Sequence, residues 1–99
     1  GRDTMTQKNA YQEKAEAKMD EWQAEIDKIR AKADHATAEA RVQYDDQIKE
    51  LVEYQKKAQK QLEEMQRASE AAWADMRSGM EKAWADLSKS WQDAISRYR

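Results

Sequence analysis

The sequence has no cysteine, no proline and no phenylalanine, and glycine occurs only twice among its 99 residues. Without cysteine the chain forms no disulfide framework and has no thiolate for catalysis or metal binding. The absence of proline removes the strongest helix breaker, and the β-branched residues are sparse and never alternate as they do in strands. What remains is a chain rich in alanine, glutamate, glutamine, lysine and arginine, all of which favour helices.

Neither sign of charge dominates the chain, and no long hydrophobic run interrupts it. Charged residues make up 38% of the sequence in mixed order, with a net charge of −2. A nucleic-acid partner would require a basic face, and none is present. No apolar run approaches the roughly 20 residues of a membrane-spanning helix, and none is typical of a secretory signal. Composition therefore predicts a long helix or a coiled coil without a nucleic-acid partner.

The first two-thirds of the chain carry a heptad pattern, in which apolar residues are spaced alternately by four and three positions. The first run consists of Ala15, Met19, Trp22, Ile26, Ile29, Ala33, Ala36 and Ala40. An eleven-residue unit then continues through Tyr44, Ile48 and Leu51, which is a local unwinding of the repeat. The second run, with two polar interruptions, consists of Leu51, Gln55, Ala58, Leu62, Met65, Ser69, Ala72 and Met76.

The last third carries a stripe of tryptophans. Residues 72–76 recur almost unchanged as residues 83–87, and eleven residues are three helical turns plus about 20°. Trp91 follows Trp84 by two turns, so both lie on the same side of a helix as Trp73. The tryptophan stripe, as we call it, consists of Trp73, Met76, Met80, Trp84, Leu87, Trp91, Ile95 and Tyr98. Such a stripe requires a covering surface.

These patterns predict three segments: a frayed N-terminus at 1–10, one long heptad-patterned helix at 11–69, and an amphipathic helix at 70–99. The locally weakest helix is at 34–37, where three of the four residues are poor helix formers: Asp34, His35 and Thr37. Ser78 and Glu81 have the spacing of a capping box, but the tryptophans keep their phase across Gly79. We therefore predict a kink or a continuous helix at Gly79 instead of a reversal.

The predicted fold is all-α: a long-helix coiled coil or helical hairpin with an amphipathic, Trp-rich C-terminal helix, which self-associates. A single helix of this length would be about 150 Å long and would leave its seam in water, so the chain folds back or associates. Trp84, central in the stripe, is the expected hot spot, with a loss of about 3–5 kcal/mol on truncation to alanine. The predicted interface residues are Met19, Trp22, Ile26, Ile29, Ile48, Leu51, Leu62, Met65, Trp73, Met76, Met80, Trp84, Leu87, Trp91 and Ile95.

The only histidine, His35, is the first candidate metal ligand. It lies one turn from Glu39, which supplies a second ligand. A di-iron bundle requires a glutamate three residues before the histidine, and Lys32 occupies that position. A lone histidine at the edge of a seam is more often solvent-exposed than metal-bound. We therefore expect no metal site at His35.

Two further groups have a plainer structural interpretation. Met65, Met76 and Met80 resemble a soft-metal set, but with no cysteine or histidine nearby they are expected to fill the core. Tyr44, Asp45 and Asp46 form an acidic group that lacks the glycine-containing loop of a calcium site. The sequence predicts neither a metal nor a cofactor.

No catalytic set is apparent. The chain has one histidine, no cysteine, and serines only at 69, 78, 88, 90 and 96, so the usual nucleophile–base–orienter arrangement is not indicated. Carboxylate pairs are frequent, as on any acidic helix, and none lies in a recognisable apolar pocket. The sequence predicts a protein that is not an enzyme and has no small-molecule substrate.

Three stretches resemble a family of short bacterial coiled-coil proteins described as stress-response proteins. They are residues 20–28, the alanine-rich residues 31–34, and residues 79–87, and the resemblance extends over most of 10–99. The resemblance implies a helical fold, a cytoplasmic location and a role in stress. It carries over no catalytic residues.

Two readings of the tryptophan stripe compete. In the first it is a protein interface that makes the chain a homo-oligomer. In the second it lies on a membrane surface, as amphipathic lipid-binding helices with eleven-residue repeats do. Surface-binding helices are typically rich in lysine and arginine, whereas residues 70–99 balance five acids against five bases. The charge balance favours the protein interface, and a metal-handling bundle is a third, weaker reading.

Overall fold

The structure, a computed structural model, describes the backbone of residues 2–97 and the side chains of residues 7–97. It consists of three α-helices, α1 (Arg2–Asp34), α2 (Ala38–Arg67) and α3 (Glu70–Arg97), with no strand in the described range. The predicted all-α fold is thereby confirmed, in the form of a helical bundle. Tyr98, assigned to the tryptophan stripe, lies outside the described residues.

The three helices lie side by side. The Tyr11 ring contacts Trp73 and the Trp22 ring contacts Trp91, so α1 and α3 run in the same direction. The α2 helix returns between them in the opposite sense, as its short connections require. The bundle measures 56 × 18 × 17 Å, close to the length of one 33-residue helix. The chain thus folds back on itself, as the argument about an uncovered seam predicts.

The first turn divides the helix that we predicted for residues 11–69. Residues 35–37 leave the helical conformation at the stretch of poor helix formers. Thr37 is the N-cap of α2, and its Oγ1 accepts a hydrogen bond from the Ala40 N–H at 3.3 Å. The prediction of one unbroken helix over residues 11–69 was therefore wrong. The chain reverses here because the reversal lets α2 cover the apolar face of α1.

The second turn occupies only Ala68 and Ser69. Ala68 is extended, with φ −70° and ψ 135°, and Ser69 Oγ accepts a hydrogen bond from the Ala72 N–H at 3.1 Å. Ser69 therefore caps α3 in the way that the sequence suggests for Ser78. The α3 helix passes through Gly79 without interruption, which agrees with the preserved tryptophan phase.

The N-terminal segment that we predicted to be frayed belongs to α1, since that helix begins at Arg2. Lys8 Nζ lies 2.7 Å from the Ala68 carbonyl oxygen, to which it donates a hydrogen bond. This bond joins the first turns of α1 to the connection between α2 and α3. Fraying concerns motion in solution and stays a prediction.

The core consists of two clusters along the bundle axis. The tryptophan-stack cluster has the buried residues Trp22, Ile26, Ile29, Leu51, Ala58, Leu87, Trp91 and Ala94. The Trp73 cluster has the buried residues Ala15, Leu62, Met65, Trp73 and Met80. Met19 and Trp84 pack against both clusters and join them into one hydrophobic core.

We expect Ser69→Ala to lower the free energy of unfolding by about 1 kcal/mol, because it removes a helix N-cap. Ser78→Ala is the matched control: Ser78 is exposed in the interior of α3, where alanine is the better helix former. Urea unfolding followed by circular dichroism measures both. A larger loss for Ser78→Ala than for Ser69→Ala would place the cap at Ser78 and contradict the structure.

Gly79→Ala is expected to stabilise the protein by about 0.5–1 kcal/mol, since glycine is unfavourable in a helix interior. A Cβ atom at this position meets no atom within 4 Å, so no steric cost opposes the gain. The same unfolding measurement tests it. A destabilised variant would show that Gly79 serves a break or a close contact in α3.

Candidate functional site

The most distinctive feature of the core is a stack of three indole rings. The Trp22 ring of α1 is parallel within 6° to two rings of α3, with centroid distances of 4.3 Å to Trp91 and 5.7 Å to Trp84. Trp84 and Trp91 are seven residues apart, which is about 10.5 Å along a helix. The two centroid distances together nearly span that separation, so Trp22 lies between the other two rings.

Burial is greatest at the middle of this stack. Trp22 and Trp91 are each 1% exposed, whereas Trp84 is only half-buried. The central aromatic residue is thus Trp22 and not Trp84, the residue that the sequence suggests as the hot spot. Trp84 is central in the stripe of its own helix, but the ring inserted from α1 decides which side chain is enclosed.

A polar contact fixes one end of the stack. The Trp91 Nε1–H donates a hydrogen bond to Glu25 Oε2 at 2.8 Å. A buried indole N–H normally requires such an acceptor, and hydrogen bonds to a charged group are the stronger ones. Glu25 therefore holds the Trp91 ring in its orientation against Trp22.

The second aromatic pair lies at the other end of the bundle. Tyr11 and Trp73 have ring centroids 5.4 Å apart at a tilt of 52°, and the Tyr11 hydroxyl donates to the Met80 carbonyl oxygen at 3.3 Å. Burial, with a smaller contribution from Glu81, raises the pKa of Tyr11 above its usual value of 10.0. Trp73 is 1% exposed, and its Nε1–H has no hydrogen-bond partner among the residues that the structure describes. Over that part of the chain, the buried indole N–H at this end of the bundle thus lacks the acceptor that Glu25 provides in the tryptophan stack.

The structure places all fifteen predicted interface residues in contacts between helices of the same chain. Ten of them are buried: Trp22, Ile26, Ile29, Leu51, Leu62, Met65, Trp73, Met80, Leu87 and Trp91. The other five are partly buried and pack against the two clusters: Met19, Ile48, Met76, Trp84 and Ile95. The seam residues and the tryptophan stripe therefore cover one another within one chain.

Polar pairs that the spacing does not indicate join the helices at their edges. Gln55 Nε2 of α2 donates to Gln23 Oε1 of α1 at 2.6 Å. Near the end of α3, Arg97 Nη1 contacts Glu50 Oε1 and Oε2 of α2 at 3.1 and 3.2 Å. These pairs mark the register of α1 against α2 and of α2 against α3. Gln55 is one of the two polar interruptions of the second heptad run. Its partner Gln23 and the Glu50–Arg97 pair lie outside the seam, so spacing alone could not have located either pair.

The outer surface of the bundle carries almost no large apolar group. Among the residues whose side chains the structure describes, Val42 is the one large hydrophobic residue that is strongly exposed, at 61%. One isolated apolar side chain is ordinary for a protein surface and does not make a patch. Over the described side chains, the closed bundle therefore shows no cluster of strongly exposed large apolar residues on which another copy could dock.

The candidate metal-ligating residues do not converge. His35, Glu39, Asp45 and Asp46 are all exposed. Met65 and Met80 are buried in the Trp73 cluster, as core residues are, and Met76 is half-buried beside them. Within the described part of the chain, no three histidine or carboxylate side chains are grouped as metal ligands.

One groove, of about 300 Å³, lies near the end of α3 and is lined in part by two lysines, Lys28 and Lys32. Its one buried polar residue, Gln47, points its Nε2 at the Ala94 carbonyl oxygen, 3.5 Å away, which is too long for a strong hydrogen bond. No histidine or serine lines this groove, so it contains none of the usual nucleophiles or bases for acyl transfer. A wider and more open groove, of about 700 Å³, lies at the first turn beside His35 and Thr37.

Comparison with family models, with curated proteins and with solved structures gives no match for this chain. The resemblance to bacterial coiled-coil stress-response proteins accordingly stays a hypothesis. Over the described residues, none of the three helices has a stretch apolar enough to cross a membrane.

We expect Trp22→Ala to lower the free energy of unfolding by about 3–5 kcal/mol, the range for truncating a buried aromatic side chain. Trp84→Ala is the matched comparison and should cost less, because part of its ring is already in water. Urea unfolding measures both, with Trp22→Phe as a milder variant in case the alanine variant does not fold. An equal or larger loss for Trp84→Ala would return the central role to Trp84.

Proposed function

We propose that this chain is a non-catalytic helical interaction protein that assembles with copies of itself through its apolar helix faces. The observation that carries the proposal is the mutual covering of the heptad seam and the tryptophan stripe. A face that packs against α1 and α2 of its own chain is complementary to the same helices in another copy. Assembly through these faces therefore needs helices to separate, because the described side chains form no cluster of strongly exposed large apolar residues on the closed surface.

Several features support a non-catalytic role. The acidic and basic side chains are distributed along the outer helix surfaces, where ion pairs such as Arg77–Glu81 link neighbouring turns. The pKa shifts point the same way: the two that stand out are those of Tyr11 and Tyr54, and both are raised. The hydroxyl of each tyrosine donates a hydrogen bond to a neighbouring oxygen, which is a structural role.

A role in stress and a cytoplasmic location belong to the proposal only through the sequence resemblance. The lack of cysteine fits a reducing compartment. A helical protein that assembles through exchangeable faces would suit a stress role, since its assembly responds to concentration and temperature.

The alternative function is binding to a lipid surface. It is favoured by the placement of three tryptophans and the eleven-residue repeat on one helix, α3, which no disulfide bond ties to α1 or α2. Trp73 and Trp91 are each 1% exposed, so lipid contact would require α3 to leave α1 and α2. With five acids against four bases, α3 offers little attraction to anionic headgroups.

Light scattering coupled to size exclusion, at increasing protein concentration, tests the proposal. We expect a mass that is a multiple of 11.6 kDa at high concentration, with tryptophan emission already blue-shifted in buffer. Adding anionic vesicles should change that emission little. A mass of 11.6 kDa at every concentration, together with vesicle binding that Trp84→Ala abolishes, would replace the proposal with lipid binding.

A further inference from the structure

The buried faces of α2 and α3 have the same phase. If the chain were one straight helix from residue 38 to residue 97, at about 100° per residue, the buried apolar residues of both helices would lie within an arc of roughly 80°. Leu62 and Met80, for example, are eighteen residues apart, which is five whole turns. The residues concerned are Leu51, Ala58, Leu62, Met65, Trp73, Met80, Leu87, Trp91 and Ala94.

A hairpin does not require this coincidence. Each helix of a hairpin must turn its own apolar face inward, but the turn between them sets their relative rotation. A common phase across residues 68–69 is, however, what a helix that continues through them requires. The buried residues of α1 share the same arc: Ala15, Trp22, Ile26, Ile29 and Ala33. The local structure of the two turns must therefore decide which of them can straighten. The sequence thus supports two arrangements of α2 and α3, one bent and one straight.

The turn itself is compatible with a helix. It consists of Ala68 and Ser69, contains no glycine or proline, and has no residue with positive φ. Straightening changes Ala68 from its ψ of 135° to a helical value and removes the Ser69 cap, while the backbone gains helical hydrogen bonds. Ser69 would then lie within the shared apolar arc.

The turn between α1 and α2 is less suited to straightening. It has three residues, His35, Ala36 and Thr37, and with Asp34 before them most are poor helix formers. Arg41 Nη2 also lies 3.4 Å from Asp34 Oδ1 and bridges the turn. The connection at residues 68–69 is therefore the hinge.

We infer that two copies of this chain exchange α3 by straightening at Ala68–Ser69. In the exchanged dimer, α3 of each copy packs on α1 and α2 of the other, and Trp22 of one copy lies between Trp84 and Trp91 of the second. The two straight helices run antiparallel, which preserves the antiparallel packing of α3 on α2. This inference rests on the proposed self-association and specifies how it occurs.

The exchange needs no new surface, because each contact of the closed bundle is formed again between the two copies. The free energies of the closed and exchanged forms therefore differ in two respects. In each copy the turn at residues 68–69 becomes helix, and joining two chains costs translational and rotational entropy. The dimer is elongated: each straight helix of 60 residues is about 90 Å long, against 56 Å for the closed bundle.

The absence of native cysteine allows a direct test by cross-linking. A chain with Glu50→Cys is mixed with a chain with Arg97→Cys, unfolded and refolded together, and treated with a short bis-maleimide. These positions contact each other across α2 and α3, and a double variant on one chain verifies that the reagent spans them. Exchange of α3 predicts a covalent heterodimer in the mixture.

The matched control uses the contact between α1 and α2, with Gln23→Cys on one chain and Gln55→Cys on the other. Exchange of α3 leaves this pair within one chain, so no covalent heterodimer is expected. A heterodimer from the Gln23 and Gln55 mixture alone would place the exchange at the first turn and overturn the inference. Cross-links from both mixtures, or from neither, would also overturn it.

Two substitutions at Ser69 have opposite expected effects. Both remove the cap, but Ser69→Ala permits the straight helix, whereas Ser69→Pro disrupts it and suits the extended Ala68 that precedes it. Ser69→Ala should raise the monomer–dimer association constant by about five-fold for each of the two hinge turns, because a cap typically contributes about 1 kcal/mol. Ser69→Pro should lower that constant by more than about a hundred-fold.

The mass from light scattering separates failure of the inference from failure of the proposed function. A dimer whose fraction is equal for Ser69→Ala and Ser69→Pro, and which gives no Glu50–Arg97 heterodimer, would retain self-association and reject the exchange. A monomer of both variants and of the unmodified chain at all concentrations would reject both.

Discussion

The insertion of the Trp22 ring between Trp84 and Trp91 is the contact on which the bundle depends. Two rings on one helix, two turns apart, leave a gap that a third ring fills at stacking distance. Filling it fixes the register of α1 against α3, because a shift of one turn would leave Trp22 outside the gap. Once α1 and α3 are in register, α2 must cover the remaining side of both.

The hydrophobic spacing predicts which face of each helix is buried, and Ala15, Leu51 and Leu87 are examples in the three helices. It does not locate the turns. Ser69 occupies a seam position and Ala68 is a good helix former, so local preferences favour a helix where the chain reverses. The turn forms because burying the tryptophan stripe stabilises the fold by more than keeping residues 68 and 69 helical would. That stabilisation comes from α1 and α2, whose residues are far away in sequence.

The centre of the aromatic cluster could not be predicted for a related reason. The stripe on α3 is visible in sequence because its members share one helix, and Trp84 is its middle. Trp22 stands in a different heptad run, and pairing it with Trp84 and Trp91 needs the register of α1 against α3. The Glu25 acceptor for Trp91 shows the same limit, since the two residues are 66 positions apart.

Nuclear Overhauser effects between indole protons test the three-ring stack, and the register that depends on it, most directly. With only the tryptophans protonated in a deuterated chain, Trp22 should show cross-peaks to both Trp84 and Trp91. Trp84 and Trp91 should show none to each other, because Trp22 separates them. Cross-peaks between Trp84 and Trp91, or their absence at Trp22, would contradict the stack and the register that follows from it.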